Sequence, residues 1–229
     1  YASEIVYGLR RFKEIKDKKE LKIMSVGCGP CTELAAVDYL KEQGVLHYEK
    51  LQYRGIDPLE GVWKHIWNDV REYYGDGIQF YPKDILQLVD IIVKHSWVPD
   101  VLIFQYVFSD MYKHSDEEEI IQFINKLADF LNSYEEKSIY ILCNDINLTK
   151  SKGGGREFFD ILESKINKPK IVKKRHFNNI NRERHYEYGE QYNSNVLVFD
   201  DISDEIKNAY SPFESCASAQ ILIKRERKK

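Results

Sequence analysis

Residues 21–34 read LKIMSVGCGPCTEL, and the pattern of this stretch decides the fold. An apolar run at 23–26 meets a glycine turn at 27–29, and apolar residues at helical spacing then continue to about Gly44. Glycines let the backbone turn sharply and let a ligand approach it closely, and the start of a helix offers unpaired N–H groups. The stretch therefore predicts a strand, a cofactor-binding turn and a helix in a doubly wound α/β fold.

The same turn contains Cys28-Gly29-Pro30-Cys31, which is the redox tetrad of thioredoxin-like proteins. At a helix start such a pair can lower the pKa of one thiol and make it a nucleophile. A glycine precedes the first cysteine here, however, and the chain is about twice the length of one thioredoxin domain. The pair is therefore interpreted as small, semi-buried thiols beside a ligand, with a Cys28/Cys31 thiol oxidoreductase as an alternative.

Composition places the chain among ordinary globular proteins, because 43% of its 229 residues are hydrophobic and 31% are charged. The net charge of −3 gives no bulk basicity that would indicate nucleic acid. Four cysteines without a disulfide-like spacing predict reduced thiols and a cytoplasmic location. No apolar run approaches the roughly 18 residues that cross a bilayer, so no membrane partner is expected.

A single domain is predicted over residues 1–229. Within it, residues 1–20 are expected to form an N-terminal helix, with helical spacing over 3–16, and a charged turn at 16–20. Residues 178–218 are expected to be an irregular insertion before the last strand, with a strand-like segment at 195–199. The stretch 165–184 is locally basic, so it either binds RNA or an acidic partner or is the solvated face of an edge strand.

Two acidic residues follow predicted strands, where ligands bind in open α/β sheets. The second strand, at 51–56, ends in Asp57, which is a ribose-binding carboxylate, a helix cap before the following proline, or both. The third strand, at 78–81, is followed by Asp84 and Ile85. Either the two residues contact a purine, through the Asp84 carboxylate and the Ile85 N–H, or Asp84 caps the helix that follows.

Polar residues also follow the fourth and fifth strands, which are predicted at 101–104 and 138–143. The sixth strand is predicted at 170–177 and the last at 219–224. The acidic residues near 117 are expected to be a solvated helix start, and no metal site is predicted. The candidate contacts to a substrate are Tyr106, Asp110, Asn144 and Asp145, for each of which turn chemistry is the other interpretation.

The order of these features resembles the class I S-adenosylmethionine-dependent methyltransferases. The resemblance covers residues 21–110 by motif and the remainder by element order. The motifs are Val26-Gly27-Cys28-Gly29-Pro30, Gly55-Ile56-Asp57, Lys83-Asp84-Ile85 and Phe104-Gln105-Tyr106-Val107. The resemblance implies a three-layer α/β sandwich with helices on both faces. Its sheet would have seven mostly parallel strands in the order 3-2-1-4-5-7-6, with the last strand antiparallel.

The resemblance also implies S-adenosylmethionine as cofactor and S-adenosylhomocysteine as product. The implied cofactor-binding residues are Gly27, Gly29 and Gln105 near the methionine part, Asp57 at the ribose, and Asp84 and Ile85 at the adenine, together with Cys28 in the same turn. Two positions depart from the family pattern: Ser25 stands where an acid is usual, and Cys31 stands where a third glycine is usual. A catalytically inactive methyltransferase-like binding or scaffold domain is therefore a further alternative.

The implied reaction is an in-line methyl transfer to an acceptor that the sequence does not identify. Positioning and exclusion of water would carry most of the catalysis, so no single catalytic signature is required. No Asp-Pro-Pro-Tyr, Asn-Pro-Pro-Tyr or Pro-Cys follows the fourth strand, which argues against methylation of exocyclic base amines and of cytosine C5. The acceptor is thus a small molecule, a protein or an RNA site of another type.

Overall fold

The computed structural model describes residues 1–167, 169–177, 187–192, 197–199, 203–209, 216 and 218–226. The strands are β1 (Asp17–Val26), β2 (His47–Ile56), β3 (Ile78–Tyr81), β4 (Val101–Gln105), β5 (Ile139–Ile146), β6 (Lys170–Phe177), β7 (Glu190–Tyr192) and β8 (Ser218–Arg225). The helices are α1 (Ala2–Leu9), α2 (Thr32–Glu42), α3 (Glu60–Tyr74), α4 (Leu88–Lys94), α5 (Val107–His114), α6 (Glu117–Ser133), α7 (Glu157–Lys165) and α8 (Asp204–Ala209).

Within these residues the strands form one sheet in the order β3-β2-β1-β4-β5-β8-β6-β7. The first five strands pair in parallel, and β8 lies antiparallel between β5 and β6. This arrangement confirms the expected order, in which the final strand enters between the fifth and the sixth. The sheet has one strand more than expected, because the three-residue β7 pairs in parallel with β6 at the edge. A strand this short carries too little pattern to be recognised in the sequence.

The two faces of the sheet bury separate cores, because successive side chains of a strand point to opposite faces. Ile23 belongs to the core that joins the sheet to α1, α2 and α3, whereas Met24 belongs to the core with α4, α5, α6 and α7. Leu102, Ile103 and Phe104 of β4 are fully buried, as expected for a central parallel strand. The structure thus confirms the three-layer α/β sandwich.

The N-terminal region differs from the prediction. Helix α1 ends at Leu9 and a short 3-10 turn follows at Lys13–Ile15. The charged turn expected at 16–20 is wrong, because Asp17 to Glu20 extend β1 and pair with the start of β2. The charged side chains alternate between exposed and half-buried positions beyond the apolar core, while the ladder satisfies the backbone.

The expected insertion at 178–218 is partly structured where the model describes it, because it contains β7 and α8. The strand-like segment at 195–199 lies partly outside the described residues, and its described part, 197–199, is not a strand. There the Val198 N–H donates to the Ser3 hydroxyl at 2.9 Å, so this segment contacts α1.

Asp100 links the amino-terminal parts of the central strands by hydrogen bonds. Its buried carboxylate accepts hydrogen bonds from Lys18 Nζ at 3.1 Å, from Lys137 Nζ at 3.0 Å and from the Lys22 N–H at 2.9 Å. Burial alone would raise the pKa of Asp100, but Lys137 and the Lys22 N–H outweigh it. The pKa therefore lies below its usual value.

Replacing Asp100 by Asn tests this anchor. A folded-state pKa below the unfolded value of about 4 means that the carboxylate stabilises the fold above that pH. This contribution is lost as the pH falls through the folded-state pKa. We expect Asp100→Asn to lower the free energy of unfolding at pH 7 by about 1–3 kcal/mol and to flatten its decline in acid. Urea unfolding at a series of pH values measures both.

The matched control is Asp90→Asn, whose carboxylate pairs with Lys126 on the surface. Exposed ion pairs contribute about 0–1 kcal/mol, so little change is expected there. An Asp100→Asn variant with the wild-type acid slope would contradict the assignment.

Candidate functional site

A cleft of about 360 Å³ opens at the carboxyl ends of the central strands. Its lining includes Gly27 and Gly29 after β1, Asp57 after β2, Ile85 after β3, and Gln105 and Tyr106 after β4. Ligands of open α/β sheets bind at this edge, where the strand order reverses. The volume lies within the range of about 300–1,000 Å³ that is typical of small-molecule sites.

The glycine turn forms the floor of this cleft. Gly27 and Gly29 have φ values of 64° and 45°, in the left-handed region that favours glycine. The Gly27 N–H donates to the Ile56 carbonyl at 2.8 Å. Trp67 Nε1 donates to the Gly29 carbonyl at 3.0 Å, so α3 supports the turn. Neither glycine carries a Cβ, and a ligand can therefore approach the backbone here.

Asp57 holds the turn from the side of β2. One carboxylate oxygen accepts the Gly29 N–H at 3.0 Å, and the other accepts the Leu59 N–H at 2.9 Å. Helix α3 begins at Glu60 with Leu59 as its N-cap, so the alternative in which Asp57 caps a helix that starts at Pro58 is wrong. Each carboxylate oxygen can accept a further hydrogen bond, and Asp57 lines the cleft. A ribose-binding role remains a prediction.

Asp84 and Ile85 differ in their position relative to the cleft. Ile85 lines the cleft, whereas Asp84 is exposed and does not belong to the lining. The Asp84 carboxylate accepts the Leu86 N–H at 2.8 Å and caps a 3-10 turn. This capping is the alternative that the sequence left open, and adenine binding by Asp84 stays a prediction.

Behind the end of β4 lies a buried acid of α1, Glu4, that the sequence reasoning missed. The Tyr106 hydroxyl donates to both carboxylate oxygens of Glu4 at 3.1 Å, and Gln105 Nε2 donates to one of them at 3.2 Å. Burial and the Glu4 charge hold the pKa of Tyr106 well above its usual value. Glu4 is only 2% exposed. The sequence feature that could have identified Glu4 is an acidic residue among the apolar residues of α1.

Two departures from the family pattern have a local explanation. Cys31 has φ 61° and ψ 39°, so the backbone keeps the left-handed conformation of a glycine at a cost of about 1–2 kcal/mol. Ser25 is buried beside Glu33, which reaches under the turn from the first turn of α2. Burial raises the pKa of Glu33, whereas a hydrogen bond from the Tyr53 hydroxyl lowers it. An acid thus lies near position 25, although it does not line the cleft.

The Cys28 thiol of the tetrad is not activated. Cys28 and Cys31 are free and buried. A hydrogen bond with Cys31, together with burial, raises the pKa of Cys28 far above its usual value. Because the thiolate is the reactive form, this environment argues against the thiol oxidoreductase.

Known structures share this architecture, although no protein-family model and no curated protein matches the sequence. A protein from Listeria monocytogenes assigned to the class I S-adenosylmethionine-dependent methyltransferases is 15% identical, with a TM-score of 0.51 over 99% of this chain and 60% of that one. The chain has the fold of these methyltransferases.

Two further structures agree with this fold. A protein from Streptococcus mutans assigned to the S-adenosylmethionine-dependent methyltransferases is 12% identical, with a TM-score of 0.50 over 97% of this chain and 47% of that one. The YcgJ protein from Bacillus subtilis is 10% identical, with a TM-score of 0.50 over 98% of each chain. The chain spans about half to all of the length of these proteins, and at such identities the shared property is the fold.

Two of the four predicted substrate contacts line the cleft, and the other two do not. Tyr106 and Asp110 line the cleft, and the exposed Asp110 lies 3.8 Å from His114. Asn144 and Asp145 are fully buried within β5 and do not line it. Asp145 accepts the Ser109 N–H at 2.9 Å, and burial raises its pKa to about 6 although this N–H opposes the shift.

The basic stretch at 165–184 is only partly described, since residue 168 and residues 178–186 lie outside the described part. Lys173 pairs with Glu190 at 2.5 Å, and Lys174 pairs with Asp160 at 2.5 Å. The role of this stretch in binding RNA or an acidic partner stays a prediction. In the part of the chain that the model covers, no helix has the length and apolarity to cross a membrane and no side-chain cluster is arranged to bind a metal.

Adding a side chain at Gly55 tests how tightly the turn is packed. An Ala Cβ there would lie 2.6 Å from Cys28 Sγ and 2.9 Å from Phe80 Cδ1. We expect Gly55→Ala to displace Cys28 and to lower the free energy of unfolding by about 1–3 kcal/mol. Urea unfolding followed by tryptophan fluorescence measures this change.

Gly61→Ala is the matched control, because no atom lies within 4 Å of the new Cβ on exposed α3. It should stabilise the protein by up to about 1 kcal/mol. If Gly55→Ala is as stable as the wild type, the turn does not pack against β2 as described.

Proposed function

We propose that the protein is an S-adenosylmethionine-dependent methyltransferase that transfers a methyl group by in-line displacement and releases S-adenosylhomocysteine. The observation that carries the proposal is the cleft at the carboxyl ends of β1, β2 and β4. There the glycine turn, Asp57 and Ile85 meet in the strand order of the class I methyltransferases.

The residues of the cleft fit a nucleoside with an amino-acid tail. Gly27 and Gly29 leave the backbone open to close approach. Asp57 offers carboxylate lone pairs to a pair of hydroxyl groups. Trp63 and Ile85 supply apolar walls for a base. A volume of about 360 Å³ suits a ligand of this size.

When bound, the cofactor supplies a sulfonium methyl group with a good leaving group. The task of this chain is therefore to align the acceptor and to exclude water. Tyr106 and Asp110 are the residues of the lining from which the acceptor would be positioned. A small molecule, a protein and an RNA remain the classes of acceptor that we propose.

We also propose a cytoplasmic location, which the state of the cysteines supports. Cys28, Cys31, Cys143 and Cys216 are all free, and free buried thiols are typical of reducing compartments.

Two measurements test the function. Isothermal titration should detect S-adenosylmethionine and S-adenosylhomocysteine, and no binding at millimolar ligand would contradict the proposal. Transfer of labelled methyl from S-adenosylmethionine onto fractionated RNA, protein and metabolites should then reveal the acceptor. A protein that binds both ligands and never labels any fraction would instead be an inactive binding domain.

Asp57→Ala tests the ribose contact. Loss of a charge-assisted pair of hydrogen bonds costs about 1.5–3 kcal/mol, so S-adenosylhomocysteine should bind roughly 10- to 150-fold more weakly. Titration calorimetry measures the affinity. Urea unfolding of the same variant measures how far the lost Gly29 and Leu59 bonds destabilise the fold.

Asp90→Ala serves as the control, since Asp90 is an exposed residue of α4 that pairs with Lys126. Its affinity should equal that of the wild type. Wild-type affinity in a folded Asp57→Ala variant would limit Asp57 to holding the turn. Asp84→Ala, measured in parallel, decides whether Asp84 contacts adenine or only caps its turn.

A further inference from the structure

One row of polar side chains crosses four neighbouring strands at the carboxyl end of the sheet. In the register of the sheet Gln105 of β4 lies opposite Asn144 of β5, Asn144 lies opposite Gln220 of β8, and Gln220 lies opposite Arg175 of β6. We call these four residues the polar row. Arg175, Gln220 and Asn144 are fully buried, and Gln105 lines the cleft.

Hydrogen bonds connect the polar row from end to end and continue to Glu4. The bonds run from Arg175 Nε to Gln220 Oε1 at 2.8 Å, from Gln220 Nε2 to Asn144 Oδ1 at 2.6 Å, from Asn144 Nδ2 to Gln105 Oε1 at 2.5 Å, and from Gln105 Nε2 to Glu4 Oε2 at 3.2 Å. A buried cation and a buried carboxylate thus terminate one continuous chain of amides.

The chemistry of the two ends sets the direction of every amide. A guanidinium only donates hydrogen bonds and an ionised carboxylate only accepts them. Gln220 must therefore turn its oxygen toward Arg175, and Asn144 and Gln105 must follow in the same sense. The aligned amides polarise one another in this water-excluded interior, which fixes the geometry at the cleft end.

Glu4 is held at three points. Its side chain accepts from Gln105 and from Tyr106, and its backbone carbonyl accepts the second N–H of Gln220 at 2.9 Å. The polar row therefore fixes both the carboxylate and the position of α1 over the ends of β4 and β8. Such a clamp places one negative charge directly behind the lining of the cleft.

Tyr106 connects the Glu4 carboxylate to the lining of the cleft. Its hydroxyl hydrogen is donated to Glu4, and the carboxylate makes its oxygen more electron-rich, so that lone-pair density not used by Ser218 can accept a further hydrogen bond. The ring of Tyr1, which also lines the cleft, packs edge-on against Tyr106 with a centroid distance of 4.6 Å. Lone pairs backed by an anion and flanked by aromatic rings suit a cation.

We infer that Glu4 and Tyr106 form a subsite for a primary ammonium group in the cleft and that the polar row positions them. The inference rests on the proposed function, because the group would belong either to the methionine part of the cofactor or to an amine acceptor. Arg175, Gln220 and Asn144 are positioning residues, since they act on the cleft only through Gln105 and Glu4.

Three ligands and one substitution test the subsite by calorimetry. The ligands are S-adenosylhomocysteine, its analogue without the α-amino group, and sinefungin, which carries a primary amine where the transferred methyl group would be. Two pairs of these ligands differ by one amine: S-adenosylhomocysteine with its deaminated analogue, and sinefungin with S-adenosylhomocysteine. A charge-assisted hydrogen bond predicts about tenfold tighter binding for the amine-bearing member of one of these pairs. In Glu4→Gln this preference should fall to about twofold.

The pair that loses its preference identifies the source of the ammonium group. Loss between S-adenosylhomocysteine and its deaminated analogue assigns the subsite to the cofactor. Loss between sinefungin and S-adenosylhomocysteine assigns it to an amine acceptor. Glu14→Gln is the matched control, because Glu14 is an exposed acid of the same N-terminal segment that pairs with Lys224, and its ratios should be those of the wild type.

Further variants separate positioning from folding. Tyr106→Phe removes only the hydroxyl. It should reduce the affinity ratio between the ligand that carries the amine and the ligand that lacks it, and it provides this test even if Glu4→Gln fails to fold. Arg175→Met, which cannot donate, should reduce this ratio too, and Arg175→Lys should restore part of it. If Glu4→Gln and Tyr106→Phe weaken all three ligands by one factor, or none, the subsite is wrong while the proposed function stands. A wild type that binds none of the three overturns both.

Discussion

The peptide of Gly29 is held from both sides, and the rest of the cleft is built around this restraint. The Asp57 carboxylate accepts the Gly29 N–H, and Trp67 donates to the Gly29 carbonyl. Without a Cβ, the Gly29 backbone could adopt many conformations, and these two bonds select one. Because Asp57 also binds the Leu59 N–H, a single buried carboxylate sets the glycine turn, the approach to α3 and one wall of the cleft. The fold of the turn and the shape of the cleft therefore depend on the same group.

Local patterns were sufficient to predict the centre of the fold. The uninterrupted apolar run of β4 and the glycine turn after β1 each contain their own signal, since burial on both faces and a sharp turn are read within a few residues. The cleft members at strand ends, Asp57 and Tyr106 among them, followed from strand order alone. The start of β1 was missed because its charged side chains extend past the core, where pairing with β2 rather than burial makes a strand.

The errors at β5 and α1 have a common physical cause. An apolar run ends at Cys143, which suggested that the strand ended there and that Asn144 and Asp145 faced a ligand. Strand β5 instead continues to Ile146, and their polar atoms are satisfied by Gln105, Gln220 and Ser109 from neighbouring elements. Glu4 was overlooked for the same reason, since its partners lie about a hundred residues away. Polar groups paired across strands leave no periodic pattern.

A buried polar row is costly unless each group has its partner, and apolar side chains of similar size would often stabilise a sheet as well or better. What apolar packing cannot provide is a direction. The chain from Arg175 to Glu4 has a positive and a negative end, and it admits one orientation of each amide between them. The polar row thereby holds the Glu4 carboxylate in a fixed position beside Tyr106 at the cleft. The fold desolvates and orients this acceptor in advance, so that a cationic group bound at the inferred subsite would require no rearrangement of it.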